Sequence, residues 1–356
     1  MSTTSPAPDL RSHPDRPGNT PRTTAPETPQ TSMRAVVRDT YGPADVLAVR
    51  DVAVPVAGTG EVLVRVHAAG IDRGAWHLMT GRPYLMRLAG FGVRRPKNPG
   101  LGGDLSGTVE AVGPGTTGFR VGDEVYGVGR STFAQYAVAP AATLSRKPIG
   151  ISHLQAAAVP TSGVTALQAV RDHGRLQPGQ SVLVIGASGG VGSFAVQIAR
   201  ALGGYVTGVA STAKLDFVRS LGVDDVIDYS AGDITDQAHR YDLVLDIGGN
   251  RPLAALRRLL SPGGTLVFVG GESGGSLSGG LGRQARAAAF SLFSQQRFET
   301  FWVAQATSAD LDTLTEMIEN GLVTPALDRA WPLADTAIGM RDLEHGTVRG
   351  KIVATP

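Results

Sequence analysis

The chain contains no cysteine, which excludes disulfides and thiolate-bound zinc. It has no apolar run approaching the roughly 18 residues of a membrane-spanning helix. Neither sign of charge is in large excess: the formal net charge is +2. Lysine and arginine do not alternate with aromatics in any cluster, so no nucleic-acid partner is expected. Residues 1–32 lack large apolar side chains almost entirely and are rich in Pro, Thr and Ser. Such a segment cannot offset the entropy of ordering, and it is expected to be a disordered tail. It also lacks the apolar core of a secretory signal. Arg11, Arg16 and Arg22 would suit an organellar transit peptide, but Asp9, Asp15, Glu27 and the prolines oppose the helix that such a peptide forms. A cytoplasmic location is expected.

What is present is apolar surface and glycine. Hydrophobic residues make up 42% of 356, enough for about two domains with full cores, and there are 47 glycines. From Met33, short strands separated by Gly and Pro indicate a β-rich, barrel-like domain: 35–37, 61–68, 107–113, 122–127 and 133–138. Helical runs begin near Ser152. From Ser181, strands at 181–185, 205–210, 225–228, 241–246 and 264–269 alternate with helices, the clearest at 212–221 and 251–260. That alternation predicts a doubly wound parallel sheet. An amphipathic helix with Leu311, Leu314, Met317 and Ile318, then a strand from Lys351, should return to the first domain.

The most informative stretch runs from Ser181 to Gly192. The strand Ser181–Ile185 meets Gly186, Ala187, Ser188, Gly189, Gly190, Val191 and Gly192, and a helical pattern of Ala195, Ile198, Ala199 and Leu202 follows. A strand, a tight glycine turn and a helix start are what a dinucleotide pyrophosphate requires. Its phosphates lie against main-chain N–H groups at the positive end of the helix dipole. The spacing only approximates the glycine fingerprint, and a tightly packed strand–helix turn in another α/β protein is the alternative. Gly186, Gly190 and Gly192 also match the short-chain dehydrogenase pattern. That pattern needs a Tyr followed four residues on by Lys, and no Tyr here is followed so.

The chain from Met33 onward resembles the zinc-free, quinone oxidoreductase-like branch of the medium-chain dehydrogenase/reductase superfamily, the relatives of zeta-crystallin. Four ordered stretches carry the resemblance: Gly102–Gly113, Phe119–Gly127, Ala156–Ala166 and Ala187–Gly192. It implies an α/β fold, a Rossmann doubly wound parallel sheet plus a β-rich GroES-like barrel domain. The GroES-like catalytic domain would span 33–157 and be completed by 298–356, with the Rossmann NADPH-binding domain at 158–297. Zinc enzymes of the superfamily carry a Cys at the place of Asp72 and a His at the place of Gly103. Both ligands are missing here, so no metal is expected.

An NAD enzyme places a carboxylate at the end of its second strand. Here that strand runs into Ser211, Thr212, Ala213 and Lys214. Two hydroxyls and an ammonium suit a 2′-phosphate, so NADPH is expected over NADH. Ser211 or Thr212 is expected also to cap the following helix. The resemblance places Tyr229 near the adenosine phosphate, Thr165 at the start of a helix near the pyrophosphate, and Lys351 against the cofactor from the other domain. Ile247, Gly248, Val269 and Gly270 follow strand ends and should border the ribose or nicotinamide.

The catalytic candidates are Asp72, His77 and Tyr84. Asp72 stands where the family usually has Asn near the nicotinamide ribose; a carboxylate there can accept ribose hydrogen bonds but adds negative charge near the hydride. Histidine is the usual proton donor near neutral pH, and His77 would give the second proton unless its role is structural. Tyr84 is a second donor, in an apolar loop that would line the small-molecule pocket. The expected function is zinc-independent, NADPH-dependent reduction of quinones or α,β-unsaturated carbonyls. The alternatives are a secondary-metabolite enoyl or ketone reductase, an alcohol dehydrogenase-like enzyme, and a non-catalytic NADPH-binding protein. A homodimer paired through an edge strand at 297–303 is also expected.

Overall fold

The computed structural model describes residues 1–2, 31–236, 238–270, 287, 294–300 and 305–356. The expected tail lies outside the described residues from 3 to 30, and so does the stretch 301–303 of the expected edge strand.

The first described strand, Ser32–Val37, pairs antiparallel with Ala48–Ala53. The long strand Glu61–Ile71 then organises the first sheet. Val62, Val64 and Val66 face the core at period two, as the alternating sequence dictates. Past Ala68 both faces are covered and the strand is buried throughout. Its neighbours are Asp104–Val112, Tyr136–Pro140 and the C-terminal strand Lys351–Thr355, all antiparallel to it. Glu124–Val128 and Leu144–Arg146 continue that sheet on one side, and Leu327–Pro332 on the other. Among the described residues this GroES-like sheet is open rather than a closed barrel.

The second sheet has six strands, all parallel where they pair. In space they run Asp225–Asp228, Tyr205–Ala210, Ser181–Ile185, Tyr241–Asp246, Leu260–Phe268 and Arg297–Thr300. By chain position this is the order 3-2-1-4-5-6 of Rossmann dinucleotide-binding sheets. The order reverses between Ser181–Ile185 and Tyr241–Asp246, and a doubly wound sheet binds its ligand at the carboxyl ends beside such a reversal. The helix Gly190–Ala201 buries Phe194, Ala195, Ile198 and Ala199 against this sheet at helical spacing.

The C-terminal segment differs from the expected division at 298. Arg297–Thr300 is the sixth strand of the parallel sheet. The helix Ser308–Glu319, capped by Thr307, packs Leu311, Leu314, Met317 and Ile318 into the parallel sheet's core. Its apolar stripe was legible, but a stripe does not say which sheet it covers. Tyr126, from the antiparallel sheet, donates its hydroxyl to Leu311 O at 2.6 Å and so ties the two layers. The chain rejoins the first sheet at Leu327–Pro332 and Lys351–Thr355.

Candidate functional site

The glycine turn forms as its sequence requires. Gly186 has φ +91°, open to glycine but strained for other residues. A Cβ on Gly192 would lie 2.1 Å from Gly186 O, so the third glycine lets the helix approach the strand. Gly189 is the N-cap of Gly190–Ala201 and provides no side-chain cap, which leaves the first-turn N–H groups without a local acceptor. Val191 and Gly192 lie in that first turn. On the other side of the reversal, Ile247 N and Gly248 N donate to Ile185 O, and Gly248 N lies 3.2 Å from where a Gly186 Cβ would stand. Val269 N and Gly270 N donate to Asp246 O. The structure thus gathers Gly186–Gly192, Ile247, Gly248, Val269 and Gly270 around one set of strand ends.

Lys351 reaches this turn from the first sheet. Ile352 pairs with Ile71, which sets Lys351 beside the end of the long strand. Gly350 N donates to Ser188 O at 2.9 Å. The Lys351 stem packs against Gly190, where a Cβ would meet its Cδ at 2.9 Å. Its ammonium faces Asp104 Oδ2 at 3.6 Å, and both side chains are buried. Among the described residues, neither Lys351 Nζ nor Asp104 Oδ2 has a hydrogen-bond partner. Thr161 donates both its N–H and its hydroxyl to Asp104 Oδ1, at 3.0 and 2.5 Å. Burial pushes the Asp104 carboxyl up to about 7; Lys351 opposes the shift and the Asp72 carboxylate adds to it. Asp104 lies within the stretch Gly102–Gly113, but its role is not legible there, because its partner lies 247 positions away along the chain.

These residues fit a nicotinamide dinucleotide. An uncapped helix start, a turn that only glycine allows and an orphaned buried ammonium beside it are a matched set for a pyrophosphate.

Thr165 is not at a helix start. The helix is Pro160–Gln168, opened by proline, and the Thr165 hydroxyl donates back to Thr161 O at 2.6 Å. Thr161 occupies the first turn instead. At the end of Tyr205–Ala210, Ser211 precedes the helical turn Thr212–Lys214 but makes no side-chain cap. Thr212 donates to Asp228 Oδ2 at 2.5 Å, a carboxylate that a linear reading of the strand end missed. Lys214 Nζ donates to Gly346 O and Val348 O, and Arg349 reaches Ala213 O. Burial lowers the Lys214 pKa, and Arg349 lowers it further. Tyr229 is exposed, held by its N–H on Ala210 O.

The catalytic candidates have local partners. Asp72 caps the helix Arg73–Thr80, accepting from Ala75 N at 2.8 Å. Gly81, at φ +63°, ends that helix. His77 Nδ1 lies 2.8 Å from Arg82 O. A carbonyl only accepts, so Nδ1 carries the hydrogen and Nε2 is left for exchange. The Tyr84 ring is exposed and stacks under the Arg87 guanidinium, which also covers Tyr41. An open cavity of about 940 Å³ between Glu124, Arg146, Asp312 and Glu319 contains none of the candidate residues.

Residues 58–149 match the family described as alcohol dehydrogenase GroES-like domain, and residues 221–353 the family described as zinc-binding dehydrogenase. The mitochondrial NAD(P)H oxidoreductase RTN4IP1 of Bos taurus is 32% identical over 374 residues, covering 93% of this chain and 90% of its own. The quinone oxidoreductase of Homo sapiens is 30% identical, covering 92% of this chain and 98% of its own. The solved structure of the quinone oxidoreductase from Coxiella burnetii aligns with a TM-score of 0.80 at 26% identity, over 91% of this chain and 99% of that one.

Proposed function

Since the chain belongs to the quinone oxidoreductase-like members of the medium-chain dehydrogenase/reductase superfamily and is an oxidoreductase, we propose that it reduces quinones or α,β-unsaturated carbonyls with NADPH, without zinc. The observation that carries this reading is the donor set. Where zinc-dependent relatives place their metal ligands, this chain has Gly103, with no side chain, and Asp72, whose carboxylate caps a helix; it has no thiol anywhere. An alcohol–ketone pair needs its developing oxyanion stabilised, and a metal is the usual source. A quinone or enone spreads that charge over its own conjugated system.

When bound, the reduced nicotinamide supplies hydride to a polarised acceptor. The chain's residues hold and orient it. The Gly186–Gly192 turn and Lys351 take the pyrophosphate, and Ile247, Gly248, Val269 and Gly270 border the ribose and nicotinamide. Ser211, Lys214 and Arg349 take the 2′-phosphate. The support for that last assignment is electrostatic: burial first and Arg349 second lower the pKa of Lys214, and an anion beside the two cations relieves their repulsion. His77 Nε2 exchanges the second proton, with its tautomer held by Arg82 O. Tyr84 is the alternative donor.

The test is NADPH oxidation against a panel of quinones, enones and simple ketones, with metal content measured on the same preparation. Turnover of quinones or enones by protein holding no stoichiometric zinc is the expected result. Oxidation of secondary alcohols alone, or one firmly held zinc per chain, would overturn the proposal.

A further inference from the structure

The Asp104–Lys351 pair is an unfavourable resting arrangement with a better one close by. Removing two charges from water is unfavourable unless short hydrogen bonds compensate. Here the two buried charges stand 3.6 Å apart, without a hydrogen bond between them. The carboxylate is fixed: Thr161 holds Oδ1 by two bonds, and Gly70 gives it room, since a Cβ there would press on Asp104 Cβ and Oδ2. The lysine is the adjustable member. Its stem lies along Gly190, at the helix start that fits a pyrophosphate.

We propose that Asp104 is a positioning residue that stores the Lys351 ammonium beneath the glycine turn, and that dinucleotide binding draws Lys351 to the pyrophosphate while Asp104 takes up a proton. The proposal rests on the dinucleotide reading of the turn and is independent of the substrate. Once Lys351 turns away, Asp104 is a buried carboxylate without a cation. The charged groups facing it are Lys351 and Asp72, and Asp72 is itself negative. Thr161, from the packed helix, is neutral. Protonation then removes the uncompensated charge. The proton comes from buffer and adds to a carboxylate oxygen; no bond to the cofactor forms. Burial already holds the Asp104 carboxyl near 7, so the exchange is within reach at neutral pH.

The test is calorimetric titration of the full chain with NADP⁺ and NADPH, in buffers of differing ionisation enthalpy, between about pH 6 and about pH 9. The expected result is net proton uptake on binding above neutrality, with affinity falling by up to about tenfold per pH unit there. Asp104→Asn should bind with no uptake and a flat pH profile. Lys351→Met should bind at least about tenfold more weakly, also without uptake, while Lys351→Arg should restore the affinity. Zero uptake by the wild-type protein across the range overturns the proposal even if every variant misfolds, and so does uptake retained in Asp104→Asn. Absence of any dinucleotide binding by the folded wild-type protein instead defeats the reading beneath it, and the proposal with it.

Discussion

His77 has one ring nitrogen fixed by Arg82 O and a ring edge packed against Trp76, so its place in the lobe is set by structure while Nε2 is left for chemistry. His77→Ala should lower kcat by roughly 10²–10⁴-fold, the usual contribution of one general acid, with NADPH affinity unchanged. Steady-state rates and fluorescence titration read the two separately, and unaltered kcat would shift the proton to Tyr84. Lys214 has two backbone carbonyls as partners, and burial, then Arg349, lowers its pKa. NADPH should bind at least about tenfold tighter than NADH, about 1.4 kcal/mol. Lys214→Ala should erode that margin and leave NADH binding in place. Equal affinity of the wild-type protein for both cofactors would refute the 2′-phosphate assignment.

Two histidines join three elements of the antiparallel layer. His67, on Glu61–Ile71, stacks at 4.5 Å on His153, the first residue of the helix His153–Ala157. His153 lies between Ser106 Oγ at 2.8 Å and Glu124 Oε1 at 3.1 Å. A neutral His153 ring carries one N–H, which serves Ser106 Oγ or Glu124 Oε1 but not both. Burial lowers both histidine pKa values; His153 and Arg65 lower that of His67 further, while Glu124 pulls His153 partly back against Lys147. Both rings are therefore harder to protonate folded than unfolded. Their contribution to stability is full above the ordinary histidine value of 6.5 and is lost as pH falls through it. Melting temperature should drop between pH 7 and about pH 5, and His153→Gln should flatten that slope. A wild-type profile that stays level over this interval would contradict the argument.

At the scale of the molecule, Arg297–Thr300 is, among the described residues, the outer strand of the parallel sheet, hydrogen-bonded to Leu260–Phe268 on one side. An outer strand is a template for pairing. The protein is expected to be a homodimer joined through this edge, seen as twice the chain mass in light scattering at micromolar concentration. Replacing Phe298 by Pro should shift it toward monomer, because proline removes the donor that a ladder needs. A wild-type monomer at that concentration would count against the pairing.

The sequence by itself determined what depends on neighbours along the chain. Period-two alternation marked Glu61–Ile71, helical spacing marked Gly190–Ala201 and Ser308–Glu319, and glycine chemistry marked the turn between Ile185 and Gly190. The ordered motifs indicated the family. Tertiary structure decided whatever depends on which side chains meet. The stripe of Leu311 and Leu314 was legible, but its burial against the parallel sheet was not. Thr165 looked like a helix start and proved to be mid-helix, because Pro160 opens that helix earlier. Lys214 reads as a phosphate-facing cation, yet two carbonyls from the C-terminal segment hold it. Asp104 and Lys351 meet because strand pairing places Ile352 opposite Ile71. Propensity and periodicity act over a few residues, whereas burial and charge pairing act between segments that only the folded chain brings together.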